Sequence, residues 1–312
     1  MKKWWIAIAI IACCGLATAQ TLKRTADPRE RGYKDSDFPR VQKLAPNVYS
    51  YEVVVGTTER YTTNSLFVVT NDGVLVADGQ ATPDAVKAML AAIAKITPQP
   101  VKYLVMGSDH GDHTNGYSAF PEGVEIIAHP NSKANLERQA NAPNRPPNAA
   151  KIVMPTSLVS DQRVLKLGGT EIRIEFLGRA HTGGDLVVYL PKEKVLFTSE
   201  IYLNHLFPAM RSAYPSEWMQ VFKKLDKIDA KYVIPGHGFV DDPKTLKEEL
   251  KAYEKSTEAV IAEAKRLHDA GVPIDQAVKQ ANWGEYQSWS GAPSQGPIVV
   301  RRVYDELDGK LK

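Results

Sequence analysis

Ser108-Asp109-His110-Gly111-Asp112-His113 sets two imidazoles and two carboxylates in one short run. Aspartate and histidine are mostly surface types and need partners when buried. Imidazole nitrogen and carboxylate oxygen together suit a borderline-soft cation such as zinc, at roughly 2.0–2.2 Å. A polar loop that merely starts a helix is the plainer alternative. Histidine is scarce, with 7 in the chain. His110, His113, His129 and His237 each sit just after an apolar run of strand character. His181 lies between two such runs, in Arg179-Ala180-His181-Thr182-Gly183-Gly184-Asp185. The glycines beside His181, and those of Pro235-Gly236-His237-Gly238, allow tight turns and close backbone approach. His268 reads as a surface residue of a helix, and His129 before Pro130 as a structural hydrogen-bonding histidine.

The elements that must position these side chains alternate along the chain. Val48 to Val55, Asn64 to Thr70 and Val74 to Ala77 read as strands, with Asp72-Gly73 as a hairpin turn. Pro83 to Ile96 reads as a helix whose Val86, Met89, Leu90 and Ile93 share a face. The strand Val101 to Met106 then delivers the hexapeptide at its carboxyl end, where open α/β sheets bind ligands. Val124 to Ala128 is a strand and Asn131 to Gln139 a helix. Residues 140–150, rich in Pro and Asn, are an irregular segment that either borders a substrate cleft or is a plain surface loop. Strands follow at Arg163 to Leu167, Glu171 to Leu177, Leu186 to Leu190 and Val195 to Thr198. Next come a helix over Ser216 to Ile228, a strand over Lys231 to Ile234, and helices over Pro243 to Leu267 and Pro273 to Ala281. The tail, with Trp283, Tyr286 and Trp289, is expected to fold back on the body. The pattern implies two sheets covered by helices, in one domain with two similar halves.

Residues 1–19 read as a signal peptide. Lys2 and Lys3 form a basic start, Trp4 to Leu16 an apolar core too short for a confident membrane span, and Ala17-Thr18-Ala19 a cleavage site. The expected location is periplasmic or secreted, with lipidation at Cys13 as the alternative anchor. Residues 20–43 form a polar arm, and residues 44–312 a single domain with a C-terminal helical extension. Both cysteines, Cys13 and Cys14, lie in the signal, so the mature chain has neither a disulfide nor a thiolate ligand. Loss of Lys2 and Lys3 takes the formal charge from +3 to +1, which gives no electrostatic case for nucleic acid.

From about residue 44 to about residue 240 the chain resembles the metallo-β-lactamase superfamily of metal-dependent hydrolases. That family carries a His-x-His-x-Asp-His motif, a later loop histidine, a bridging aspartate after a strand, and a final histidine. Here His110, Asp112 and His113 match the last three motif positions, His181 the middle histidine and His237 the final one. The resemblance implies a four-layer αββα sandwich with one or two zinc ions, manganese or iron being open alternatives. The implied metal residues are His110, Asp112, His113, His181, Glu200 and His237. Two positions depart from the pattern: Ser108 replaces the first histidine, and Glu200 replaces the bridging aspartate. Asp112, His113 and His237 form an intact set, whereas the His110 and His181 set lacks an imidazole. His205 either supplies it or keeps a surface or supporting role, the latter being the favoured reading, and Ser108 could instead hold a ligand water.

The implied chemistry is hydrolysis by a metal-activated water. Asp112 would orient that water, with His181 or His110 as a base or oxyanion donor where no second metal binds. The expected substrate is a small amide, lactam, lactone or ester. Nuclease, cytosolic thioesterase and flavin-linked redox roles fit poorly with the charge, the signal and the absence of an added domain. The alternative is a non-catalytic metal-binding or accessory protein of the same fold.

Overall fold

The computed structural model describes residues 23–146 and 149–311, so the expected signal segment lies outside it. Two short 3-10 turns, Arg29–Arg31 and Asp35–Asp37, lead into β1 (Arg40–Ala45). This polar segment is fastened to the body. Ala26 is fully buried, and Arg31 pairs with Asp241 at 2.6 Å with both side chains almost wholly covered.

β2 (Val48–Val55), β3 (Tyr61–Thr70) and β4 (Gly73–Ala77) form an antiparallel meander. α1 (Pro83–Ala94) starts where the Thr82 side chain accepts the Ala85 N–H, with Pro83 in the first turn. β5 (Val101–Val105) runs parallel to β4 and feeds the single-turn α2 (Gly111–Thr114). β6 (Glu125–Ala128), α3 (Pro130–Ala140) and β7 (Ser157–Leu158) complete the first half. The second half has β8 (Gln162–Leu167), β9 (Thr170–Phe176), β10 (Leu186–Leu190) and β11 (Val195–Leu203), all antiparallel. α4 (Pro215–Leu225) then leads to β12 (Tyr232–His237), parallel to β11. α5 (Pro243–Asp269), α6 (Ile274–Gln280) and α7 (Ala292–Leu307) close the chain.

The strand order is β7-β6-β5-β4-β3-β12-β11-β10-β9-β8, with β2 also on β3 and β1 on β2. In the sheet ladder the halves meet at the pair His237 with Thr63, backed by the Gly238 N–H to the Thr62 carbonyl at 3.1 Å and the Leu186 N–H to the Gly107 carbonyl at 3.0 Å. Successive side chains of a strand point to opposite faces. Leu66 and Val68 therefore enter the larger core with Ile174, Val188 and Phe197. Phe67 enters the core beneath α1 with Val76, Met89 and Ile93. The outcome is a mixed α/β fold in which the apolar faces of the curled sheet are covered.

Two elements differ from the sequence expectation in ways that matter for the site. β11 does not stop at Thr198 but runs to Leu203, with irregular register against β12 around Ser199, whose φ is 47°. A local irregularity of this kind re-aims a side chain, and Glu200 consequently sits inside the strand. The tail contains a full helix, α7, despite Pro297 in its interior, which gives up one backbone hydrogen bond. Its Val299, Val300 and Val303 are buried, and that burial offsets the loss. Among the described residues no helix is long and apolar enough to cross a membrane.

Candidate metal centre

The cluster is assembled at strand ends. β4 delivers Asp78 in a left-handed conformation, φ 58°. Its Oδ1 accepts the Gly107 N–H at 2.6 Å, and its Oδ2 accepts the Ser199 hydroxyl. Gly107 has no room for a side chain, since a Cβ there would lie 2.6 Å from the Ser199 Cβ. The same Asp78 Oδ2 lies 2.9 Å from Nδ1 of His113, which is fully buried on α2. His237 closes β12, with its Nδ1 3.2 Å from the Thr62 carbonyl oxygen. A carbonyl only accepts, so Nδ1 carries the proton and Nε2 is left with its lone pair.

Those two second nitrogens face each other: His113 Nε2 lies 3.2 Å from His237 Nε2. Asp112 Oδ2 is 3.0 Å from His237 Nε2, and Glu200 Oε1 is 3.3 Å from it. A second convergence lies alongside, with His181 Nε2 3.1 Å from His110 Nδ1 and 3.2 Å from Glu200 Oε1. His110 is oriented through its other nitrogen, 3.1 Å from the Ser212 Oγ. Glu200 spans both groups. Its Oε2 is 2.9 Å from His110 Nδ1 and accepts the Ser108 hydroxyl at 2.5 Å.

These contacts test whether the residues suit a cation. Imidazole lone pairs aimed at one another at hydrogen-bond distance repel unless a proton or a metal ion lies between them. The side chains respond by holding protons. Burial alone would lower His110, yet Glu200 beside it carries the imidazole up to about 9. Burial likewise opposes charge on His113 and His237, but Asp78, Glu200 and Asp112 raise the first, and Asp112 and Glu200 raise the second. His181, fully buried, is lowered. The histidines together hold Glu200 well below the usual carboxylate range against its burial. A divalent ion would replace those protons and answer the same carboxylates. The donors fall into Asp112, His113, Glu200 and His237 on one side and His110, His181 and Glu200 on the other, ligand atoms in each group lying within 4.8 Å of one another. This nitrogen and oxygen set fits zinc.

Two residues considered from sequence stand elsewhere. His205, φ 58°, turns away after β11, so that Nδ1 lies 3.0 Å from Glu249 Oε2 and the ring stacks on Trp289 at 4.7 Å. It does not join the cluster. His129 accepts the Asn131 N–H at the start of α3 and stacks on Phe176. Residues 140–150 contribute nothing to the cleft lining among the described residues. Asp78 and Ser212, in contrast, had no sequence signal beyond an acid or hydroxyl beside an apolar run. The cluster floors a cleft of about 360 Å³, walled by Tyr61, Leu206, Phe207 and Ile298, with Glu59 and Arg211 also lining it.

The family model described as the metallo-beta-lactamase superfamily matches residues 58–237. The chain belongs to that superfamily. Among curated members, metallo-beta-lactamase IND-1 of Chryseobacterium indologenes is 25% identical over 209 residues, 64% of this chain and 82% of the relative. The subunit alpha of 2,4-dinitroanisole O-demethylase from Nocardioides sp. (strain JS1661) is 22% identical, across 68% of this chain and 62% of its own length. Of solved superfamily structures, a metallo-beta-lactamase from Pontibacter korlensis superposes with TM-score 0.60 at 22% identity, covering 69% of this chain and 98% of that one. The sec-alkylsulfatase Pisa1 from Pseudomonas sp. gives TM-score 0.68 at 16% identity, covering 85% of this chain and 50% of its own. At these identities the structural likeness speaks for the fold. The superfamily includes metal-dependent hydrolases, and the His, Asp and Glu cluster offers donors for a metal ion.

Proposed function

We propose that the protein is an exported, zinc-dependent hydrolase that adds water to a small amide, lactam, lactone or ester. The observation that carries this reading is the pair of opposed imidazoles, His113 with His237 and His110 with His181, joined by Glu200 at the floor of an open cleft. Bound zinc would lower the pKa of a water towards 7 and so supply the nucleophile near neutrality. The chain's own groups do the rest. Asp112 has the most exposed side chain among the candidate ligands, 36%, so it can meet an incoming water and orient it. Ser212 fixes the His110 ring, and Asp78 fixes that of His113. Leu206, Phe207 and Ile298 offer apolar surface to the hydrocarbon part of a substrate.

The test is metal content of anaerobically purified protein, followed by a panel of lactams, lactones, esters and phosphodiesters. Bound metal with turnover of at least one carbonyl substrate is expected. No bound metal, with nothing restored by zinc, manganese or iron, would overturn the reading in favour of an accessory protein. Export is supported by the Lys2-Lys3 start and the Ala17-Thr18-Ala19 site. Mass spectrometry of the host-processed chain should give Gln20 as its first residue, and a diacylated Cys13 would replace that expectation.

A further inference from the structure

A second cleft, of about 340 Å³, lies behind the metal cluster, with Arg138, Arg211, Arg302 and Lys310 in its lining. Most arginines of the chain are spent on carboxylates, as in Arg24 with Glu249, Arg40 with Glu52 and Arg179 with Glu217. Arg138, Arg211 and Arg302 are different. Arg138 donates only to the Asn135 side-chain oxygen, and Arg302 donates Nε to the Ala213 carbonyl at 2.5 Å. Arg211 makes no ion pair or hydrogen bond among the described residues. Lys310 is taken by Asp308 at 2.7 Å and Asp305 at 3.5 Å. The carboxylate of the lining, Asp109, is buried and occupied by the Asn135 amide at 2.8 Å. Three guanidiniums that make no ion pair among the described residues thus share one polar cleft; Arg302 lies over the Tyr214 ring at 5.4 Å, with Asp305 and Glu306 acting on it only from beyond ion-pair distance, and is partly withdrawn from water there. Like charges so placed repel until an anion joins them, and guanidinium forks match oxyanions in shape as well as charge.

The position of this cleft is informative. Arg211 lines both it and the catalytic cleft, and the adjoining Ser212 holds His110. Arg302 and Lys310 belong to the C-terminal extension, beyond the residues that match the superfamily. Arg138 and Arg211, by contrast, lie within the matched residues, so the cleft is built from both parts of the chain. We infer that the Arg138, Arg211 and Arg302 cleft is a binding site for an oxyanion — carboxylate, sulfate or phosphate — placed to hold the charged end of a substrate whose scissile bond lies at the metal cluster. The inference rests on the proposed hydrolase reading for its substrate, but the site itself can be tested without turnover.

The first arm measures binding of inorganic sulfate to the metal-loaded protein by calorimetry, for wild type, Arg138→Ala/Arg211→Ala and Arg138→Lys/Arg211→Lys. Sulfate affinity is expected to fall about tenfold or more in the alanine pair. The lysine pair should keep most of it. Unchanged affinity in the alanine pair would overturn the site, as would sulfate binding that vanishes only on chelation. Circular dichroism and metal content of the alanine pair should match wild type, since both side chains are exposed. The second arm compares 4-nitrophenyl hexanoate with mono-4-nitrophenyl adipate, which differ by a terminal carboxylate. A selective loss of kcat/KM for the adipate in the alanine pair assigns the site to the substrate. Equal effects on both esters overturn that assignment and leave a site for a free anion. If neither ester is cleaved, the sulfate arm still decides the site, while the hydrolase reading loses support separately.

Discussion

One methylene separates glutamate from aspartate, and at position 200 that length decides what the carboxylate touches. Glu200 reaches His181 and His237 with one oxygen and His110 and Ser108 with the other. Ser108 stands where an imidazole would compete for the same space, so its small hydroxyl and the long carboxylate are matched. Glu200→Asp is expected to withdraw one oxygen from Ser108 and His110 and to lower zinc stoichiometry towards one per chain, read by plasma mass spectrometry. Ser108→Ala removes only the hydrogen bond and should weaken the affected site about tenfold, in keeping with losses of outer hydrogen-bonding partners. Two retained ions at wild-type affinity in both variants would refute the matching. Asp185, itself no candidate ligand, offers a pH test. It is fully buried, and desolvation raises its carboxyl to about 7 although the Thr182 N–H and hydroxyl donate to it at 2.7 and 2.6 Å. An acid raised this way stabilises the fold fully below its unfolded value of 3.8, and that contribution is lost as pH rises through about 7. Asp185→Asn does not titrate. Denaturation of chelated protein at about pH 5 and about pH 8 should show a smaller loss for the variant; equal losses would place the pH dependence elsewhere.

Among elements, the contact between β11 and β12 leaves no room for a side chain at Gly236. A Cβ at Gly236 would lie 2.6 Å from the Ser199 carbonyl carbon and 2.8 Å from the Glu200 nitrogen, both backbone atoms. Gly236→Ala is expected to cost about 1–3 kcal/mol in urea denaturation, and to reduce zinc retention because Glu200 shifts. Full retention would show that the strand can part without moving the ligand. The same strands show what could be read beforehand. β2, β4, β10 and the start of β11 announce themselves as apolar runs, because both faces or one face meet a core. β1 does not, since its side chains are exposed or only partly covered and its signal lies in backbone pairing with β2. The far end of β11 is polar at Glu200 and Asn204 follows it, so it reads as loop until its partners are known. α7 was hidden by its prolines. In the site, scarce histidines after apolar runs were legible, whereas Asp78 before Gly79 resembles an ordinary turn. Its role exists only once Gly107, Ser199 and His113 are brought beside it.

At the scale of the molecule, the C-terminal extension roofs the cleft above the candidate metal cluster. Leu206 bridges to Ser290, the Phe207 N–H donates to the Ser290 carbonyl at 2.9 Å, and Trp289 rests on His205. Gly291 and Ile298 then line the cleft from outside the superfamily-matching residues. Trp289→Ala should loosen this roof and raise KM about threefold or more for an apolar ester with little change in kcat, the pattern of lost uniform binding. An unaltered KM would detach the roof from substrate binding. The joint between the halves carries a different consequence. His237 is both a candidate ligand and the residue that pairs β12 with β3, while His110, Asp112 and His113 come from the other half of the sheet. An ion held by both groups would act as a rivet across this seam, beside the hydrogen bonds from Gly238 N–H to Thr62 and from the Asn64 amide to Pro235 and Gly238. Its removal should therefore be felt as mechanical slack in one place. Amide hydrogen exchange along β3 and β12 should quicken on chelation well beyond that of the strands in either half, and a uniform increase across the sheet would show that the seam holds without it.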